Sequence, residues 1–577
     1  IRAYGLYAAL AYDWLHDAPG MEELRPIILE RLDAWLDWYI EGGYLNDSPY
    51  SNYFWGYFAS LAMAGLATAG ESDSAERWLG KTRELLEKRV IPGFQSGLKG
   101  GEWAEGWQYG QLVAMEVALL VDAFHTATGT DYAPSLSWLG EIVDAQLHRT
   151  HPDRKSWYGN GTQHERPPPP DGSALASALL VLDRTDPQRA AHARYMLRRM
   201  FPPLGRERLW FAFVSDRPDA PDQDPRRPDR IAYHLSGPGQ TFMRSSWRED
   251  AVWVSFQAGA RVAVDHQQND QGHFEIWRGS DALVSDFATE GGYATINHNS
   301  ILIDDGGDVL NYVPNQGVWA RSSRTVAWHD SGVAVVVVGD LADAWAPKCV
   351  ERGCDDRSVK KAVRTLVYLR PDVVVTHDDI ELTEGGYGAT WIAHVRSKPR
   401  VAGAAASATA GGSRLDLIAL GPERPAVRVV QEPTPSEDHI YRANRPDGEV
   451  WRLEIDTPRG KPARRIVSWM RASDASAPAA EVTPVRGGGL VGGVGQVGSA
   501  ATAVLFAGGP AGGAAEVPAA ATRALVVGLE PRGAYRVGVT RGGKGTCRLS
   551  VAQASTAEAR PDPAGALMID LAPCRGR

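Results

Sequence analysis

Apolar residues in the first third of the chain recur at helical spacing. Ile28, Leu32, Trp35, Leu36 and Tyr39 follow one another by four, three, one and three positions, which lays them along one helix face. Val113, Val117, Leu120 and Phe124 repeat the pattern after the Gly106–Gly110 region. Breakers separate such stretches: Ala18-Pro19-Gly20, Gly42-Gly43, Pro92-Gly93 and the run Pro167 to Pro170. Residues 1–205 therefore read as about eight helices joined by short loops and stacked as antiparallel pairs. Residues 1–120 hold seven Trp and nine Tyr. Most of these are expected to pack the core, leaving a minority to offer flat faces to sugar rings.

The texture changes around Arg226–Arg230. Ala251–Phe256, Val333–Val338, Thr365–Leu369 and Val373–Thr376 are short, β-branched and separated by Gly, Asp and Pro. Strands this dense, without intervening helices, predict an antiparallel sandwich over residues 226–475 and not a parallel nucleotide-binding sheet. The stretch 401–412, VAGAAASATAGG, reads as a loop. From residue 476 the chain turns rich in Gly and Ala, yet Ala501–Phe506 and Ala524–Val527 still look like strands. A smaller C-terminal sheet domain over 476–577 is expected. The fold class is thus α+β and multidomain.

Composition narrows the function. The 577 residues carry 61 Lys and Arg against 70 Asp and Glu, a formal charge of -9, with 44% hydrophobic and 23% charged residues. That excludes a mainly disordered or collagen-like chain, and no apolar run approaches the length of a membrane helix. Nonspecific nucleic-acid binding, which wants a basic face, finds no support. A polyanionic substrate would have to be drawn in by local positive charge. Cys349 and Cys354 bracket a short charged segment, and Cys547 and Cys574 lie near the C-terminus. Two local disulfides would fit an exported protein, and four free thiols would fit a cytosolic one equally well. The chain begins Ile-Arg-Ala without a methionine, so an N-terminal piece is expected to have been removed or left out.

Two constellations could carry chemistry. Glu105, Gly106, Tyr109 and Gly110 form EGxxYG where a long helix begins. Glycines allow a tight approach to the helix, and its N-terminus favours an anion such as a phenolate or a substrate carboxylate. The plainer reading is a buried structural tyrosine beside a capping glutamate. The second constellation runs from Asp265 through His266 and Asp270 to Asp286, followed by Gly291-Gly292-Tyr293 and by Asn297-His298-Asn299. So many amides, imidazoles and carboxylates at strand ends need partners if buried, which is unusual for mere packing. His125, His148 and His377, standing alone, read as structural.

These motifs together resemble the heparinase II/III-type polysaccharide lyases. The stretch HxxxD…F…G…D followed by HNSILID is similar to that family's GHxHxD…SF and SHNTLLVDG, and EGxxYG to its catalytic tyrosine segment. Ser51-Asn52-Tyr53-Phe54-Trp55 resembles its asparagine-bearing helix. The matches keep their order over about residues 50 to 305. The resemblance implies a toroid of helical hairpins, trimmed or incomplete before Asn52, packed on an antiparallel β-sandwich with a uronate-binding cleft between them. It also implies β-elimination. Asn52 and His266 would neutralise the carboxylate and Tyr109 would act as acid, doubling as base where both protons lie on one side. Tyr293 is a weaker base candidate, with His273 and His234 as outside choices. Tyr53, Trp55, Glu105 and Trp107 would contact substrate. No diffusing cofactor is required.

The chain departs from the family pattern twice. Tyr53 follows Asn52 where many relatives have histidine, which argues against a histidine base specialised for one C5 epimer. Gln268 replaces the second histidine of HxH, so a metal set of Gln268, Asp286 and His298 would be weak, empty or suited to a harder ion among zinc, manganese and calcium. The implied partner is an anionic polysaccharide, a glycosaminoglycan such as heparan, chondroitin or hyaluronan before alginate or glucuronan. The implied location is secreted or periplasmic, with disulfides Cys349–Cys354 and Cys547–Cys574. Nucleic acid and membrane insertion are not expected, and the oligomeric state is not legible. Two other readings compete. A glycoside hydrolase needs two opposed carboxylates, for which Glu102 and Glu105 could be offered, and a carbohydrate-binding protein needs no turnover.

Overall fold

The computed structural model describes residues 4–163, 167–205, 213–215, 217–262, 266–268, 270–286, 294–305, 316, 323–345, 357–431, 450–543 and 545–572. Its first part is helical: α1 (Tyr4–Trp14), α2 (Met21–Gly42), α3 (Asn52–Ala67), α4 (Ala75–Leu85), α5 (Ile91–Ser96), α6 (Trp107–Thr128), α7 (Trp138–Arg149), α8 (Ser173–Thr185) and α9 (Pro187–Arg199). The helices form two layers. Inner α3 packs between α1 and α6, and α6 packs on α8, while α2, α4, α7 and α9 lie outside. Leu6 and Leu10 also reach Met115 and Ala176, so α1 touches α6 and α8. The inner helices are apolar nearly all round, which is why α3 and α6 bury most of their residues. Leu32, Leu36 and Tyr39 face inward on α2 as their spacing predicts.

Antiparallel sheets follow. A five-stranded meander (Ala232–Leu235, Gln240–Arg244, Val252–Gln257, Phe274–Arg278, Asp281–Val284) lies against the helices. Beside it stands a four-stranded sheet ordered Val427–Gln431, Trp451–Asp456, Gly388–Val395 and Ile301–Asp304. Both contribute to one core, where Phe256, Phe274 and Ile276 of the first and Trp391 and Leu453 of the second meet Val335, Leu366 and Met470 of a large eight-stranded sheet. That sheet is buried on both faces. Val336, Val367, Val375 and Trp469 pack on its far side against Val504, Phe506, Leu525 and Val527 of the C-terminal sheet. Burial on two sides explains why its strands read as unbroken apolar runs, since alternate residues serve different cores.

One expectation about the β region needs correction. Residues 401–412 are not a loop, because Arg400–Ala402 and Ala405–Ala410 form strands that turn at Gly403 and Gly411. Alanines carry little strand propensity of their own, but Ala406 and Ala408 alternate inward opposite Leu417 and Leu415, and that cross-strand packing decides the outcome. The C-terminal sheet mixes antiparallel and parallel pairing. Ala500–Ala507 pairs in parallel with Arg523–Val527, because the chain between them crosses over and lays Gly512–Pro518 into a separate three-stranded sheet.

The helical and β halves are bolted together at several points. Ala145 and Tyr158 pack with Leu235, Phe242, Trp253 and Trp277. Arg244 donates to the carbonyls of His148 and Thr150 at 2.9 and 2.8 Å, and Trp253 Nε1 donates to His148 O at 2.9 Å. Gly237 N donates to Lys99 O at 2.8 Å, holding a sheet turn on the loop that leads to α6. Among the described residues no helix is long and apolar enough to cross a membrane. Cys547 is disulfide-bonded, and no described cysteine is free. Cys349, Cys354 and Cys574 lie outside the described residues.

Candidate active site

The glycines of EGxxYG act as the sequence suggests. Gly106, at φ 90, caps α6 and puts Tyr109 in its first turn. Tyr109 is half-buried, and its ring stacks on the imidazole of His266 with centroids 4.2 Å apart and planes 22° from parallel. One ring belongs to the helical half and the other to the β half. His266 sits at φ 61, a left-handed conformation that non-glycine residues adopt at a cost. Its Nδ1 lies 3.2 Å from Thr162 Oγ1.

The loop bearing His266 is pinned by amide side chains. Gln267 accepts from Val262 N at 2.8 Å and donates to Ala260 O at 2.9 Å, and Gln271 accepts from Gly259 N at 2.8 Å. The abundance of glutamines here thus has a structural use.

Asn52, at the start of α3, is fully buried. Its backbone N and Nδ2 both donate to Glu105 Oε2, at 2.7 and 2.8 Å, and Trp103 Nε1 donates to the same oxygen at 3.2 Å. A carboxylate accepts only, so Glu105 fixes which end of the Asn52 amide points toward it. Glu105 therefore positions Asn52 and, being fully buried, has no surface to give a substrate. Trp55 and Trp107 are also corrected as substrate contacts. Trp55 is 0% exposed and donates to Pro49 O, while Trp107 is 1% exposed and stacks on Trp138. Tyr53, 38% exposed and edge-on to Tyr44, keeps an accessible ring. Tyr293 lies outside the described residues.

Beneath these groups a buried network ties the loops together. Arg149 reaches Glu102 Oε1 at 2.8 Å, Tyr158 O at 2.7 Å and Asn160 Oδ1 at 2.8 Å, with its guanidinium over the rings of Trp107 and Trp157. Burial pushes Glu102 up to about 7, the Arg149 charge opposing it. Neither Glu102 nor Glu105 faces an open cleft.

A second cluster gathers His273, Asp286 and His298, all buried, with one ligand atom from each within 4.8 Å of the others. His298 Nδ1 lies 2.9 Å from Asp286 Oδ2, and its Nε2 is buried without a partner. His273 Nδ1 accepts from Asn299 N at 3.0 Å, leaving its Nε2 toward Glu275 Oε1 at 3.4 Å. Two imidazoles and a carboxylate, one nitrogen lacking any hydrogen-bond partner, fit a divalent metal such as zinc. His273 joins Asp286 and His298, which the sequence pattern pairs with Gln268, itself a buried residue. A register in which His273 starts the strand Phe274–Arg278 brings its ring back to the cluster, and sequence spacing alone does not reveal that. His234 is elsewhere, hydrogen-bonded to Thr241 at 2.9 Å and packed on Trp328.

Sequence reading overlooked Arg149, Asn160 and Thr162. The turn-forming Gly159-Asn160-Gly161 was the available signal.

The fold and the site together define one class of protein, a double layer of helical hairpins docked on stacked β-sheets, with a tyrosine–histidine centre where the halves meet. Among solved structures the chain is similar to a heparinase III with methylated lysines, at TM-score 0.59 and 14% identity over 86% of this chain and 72% of that one. Another heparinase III gives TM-score 0.56 and 11% identity over 87% and 74%. Heparan sulfate lyase HepC from Pedobacter heparinus gives 0.53 and 15% over 82% and 69%. The chain has the heparinase III fold. No protein-family model matches it, and no curated protein matches it in sequence.

Proposed function

We propose that this chain is a polysaccharide lyase that cleaves a uronate-containing polymer by β-elimination. The single observation that carries the reading is the contact of Tyr109 with His266, one from each half, at 4.2 Å between ring centroids. The similar solved structures are named as heparinase III and heparan sulfate lyase, which supports a glycosaminoglycan of the heparan type as first substrate, ahead of chondroitin and hyaluronan. Alginate and glucuronan come second. A secreted or periplasmic location suits such a substrate, and the disulfide at Cys547 supports it.

The chemistry follows from the groups present. Removing the C5 proton of a uronate leaves charge on the carboxylate side, and hydrogen bonds there stabilise the aci-enolate. His266 would donate one of them. Asn52, the other group proposed to neutralise the carboxylate, is fully buried and held by Glu105. Tyr109 takes the C5 proton in syn elimination and returns a proton to the departing O4 oxygen as the C4–O4 bond breaks and the C4=C5 bond forms. Tyr53 offers a ring for a neighbouring sugar.

His273, Asp286 and His298 would hold a divalent metal. Bound there, it would supply positive charge and cross-link the strand ends that carry these residues. Metal analysis of the protein and of His298→Ala checks this, with about one ion per chain expected before the substitution and none after it.

Glycoside hydrolysis is disfavoured because Glu102 is committed to Arg149 and Glu105 to Asn52, both inside the protein. A panel of uronate polymers followed by ultraviolet absorbance and by reducing ends decides among the readings. A lyase makes an unsaturated, absorbing product. Reducing ends without absorbance mean a hydrolase, and binding without either means a lectin-like protein.

A further inference from the structure

Thr162 lies on a loop of the helical half that the elimination chemistry does not use, yet it touches the centre. Two glycines set its position. A Cβ on Gly106 would run into Asn160 O, and one on Gly161, at φ 64, would run into Glu105 O. Only glycine at both places lets the 158–163 loop lie directly on the loop leading to α6. The contact is then fastened from both sides. Asn160 Nδ2 donates to Trp103 O at 3.0 Å, Arg149 holds Asn160 Oδ1 at 2.8 Å, and Gln163 Nε2 donates to Asn160 O at 2.9 Å. Thr162 follows in this stretch, fully buried, with Oγ1 3.2 Å from His266 Nδ1.

His266 needs such support. Its backbone is in the left-handed region, where a non-glycine residue persists only if its surroundings hold it there. Ring stacking on Tyr109 fixes the plane of the imidazole but not which nitrogen bears the proton. We infer that Thr162 is the positioning residue of His266, its hydroxyl donating to Nδ1 so that the neutral ring keeps its proton on Nε2. The proton on Nε2 gives the ring a donor for the substrate carboxylate, so this role rests on the lyase reading above. A helical-half hydroxyl thereby selects the working tautomer of a β-half histidine, as the partner of the far nitrogen generally does.

The test compares the full chain with Thr162→Val, Thr162→Ser and Thr162→Ala. Nitrogen-15 NMR of histidine-labelled protein reads the tautomer of His266, whose signal is assigned by its loss in His266→Gln. The Nε2–H form is expected in the parent chain and in Thr162→Ser. Thr162→Val is expected to populate the Nδ1–H form, and Thr162→Ala checks the same point without a buried methyl replacing the hydroxyl. On a uronate polymer kcat should fall on the order of 10²-fold in Thr162→Val, with KM nearly unchanged, and recover in Thr162→Ser. An Nδ1–H ring in the parent chain, or a tautomer unaltered by both Thr162→Val and Thr162→Ala, overturns the inference. A parent chain that makes no unsaturated product on any uronate polymer overturns the lyase reading instead, and the tautomer comparison still decides the role of Thr162.

Discussion

Replacing Tyr109 by Phe removes one oxygen and leaves the ring. The stack on His266 at 4.2 Å and 22° survives, and an aromatic pair of this kind contributes about 0.5–1.5 kcal/mol beyond its buried area. Stability should therefore change by less than about 1 kcal/mol, within the usual range for a substitution that opens no cavity. Turnover should fall far more. A side chain that moves the proton in the transition state is worth about 10²–10⁴-fold, which corresponds to about 3–5 kcal/mol in the barrier. Tyr109→Ala separates the two effects, since it also removes the ring that supports His266 at φ 61, a conformation costing about 1–3 kcal/mol. The assay is initial rate by ultraviolet absorbance on the best polymer of the panel, beside a urea melt and a binding isotherm for each variant. Normal stability and binding with turnover lost is the expected pattern for Phe. A Phe variant turning over at the parent rate would refute the placement of the acid on this phenol.

Three further expectations follow from buried charge. Glu105→Ala strands three N–H donors inside the protein, at about 1–3 kcal/mol each, so a denaturant midpoint should show a loss of roughly 3–9 kcal/mol and Glu105→Gln a smaller one. If Glu105→Ala is as stable as the parent, the carboxylate does not organise α3. Glu102 sits at about 7 in the folded chain against an ordinary 4.5, so the folded state holds its proton longer than the unfolded state. Its contribution is complete below about pH 4.5 and lost as pH rises toward 7, a fall of about 3 kcal/mol that Glu102→Gln should abolish in melts across that window. Equal slopes for parent and variant would contradict this. Arg364 bonds Asp378 at 2.6 Å and Gly272 O at 2.6 Å, both pair members being 0% exposed. Arg364→Met should cost about 3–5 kcal/mol, most of it regained in the double variant with Asp378→Leu. A double variant no more stable than Arg364→Met would show that the stranded charge is not the cause.

The order of elements was legible from the residues because periodicity is a local property. Helical spacing marked α2 and α6, and β-branched runs marked the strands of the large sheet, since the residues that bury an element also define its period. Tyr109 was legible for the same reason, as its glycines and helix start are contiguous in sequence. The alanine strands at 400–410 were not, because small residues form strands only when opposite strands supply packing. Nor could order alone show that Trp55 and Trp107 are sealed in the core while Tyr53 reaches the surface, since exposure depends on what arrives from other elements.

The sequence by itself determined a helical half, a β half and the position of EGxxYG at the start of α6. Only tertiary structure decided which side chains meet. It laid Tyr109 on His266 across the join, withdrew Glu105 to hold Asn52, gathered His273 with Asp286 and His298, and brought Thr162 to the imidazole. The physical reason is that such contacts join residues apart in sequence, by 12 positions for Asp286 and His298, 53 for Asn52 and Glu105 and 104 for Thr162 and His266, and the packing of whole layers, not local propensity, sets which of them meet.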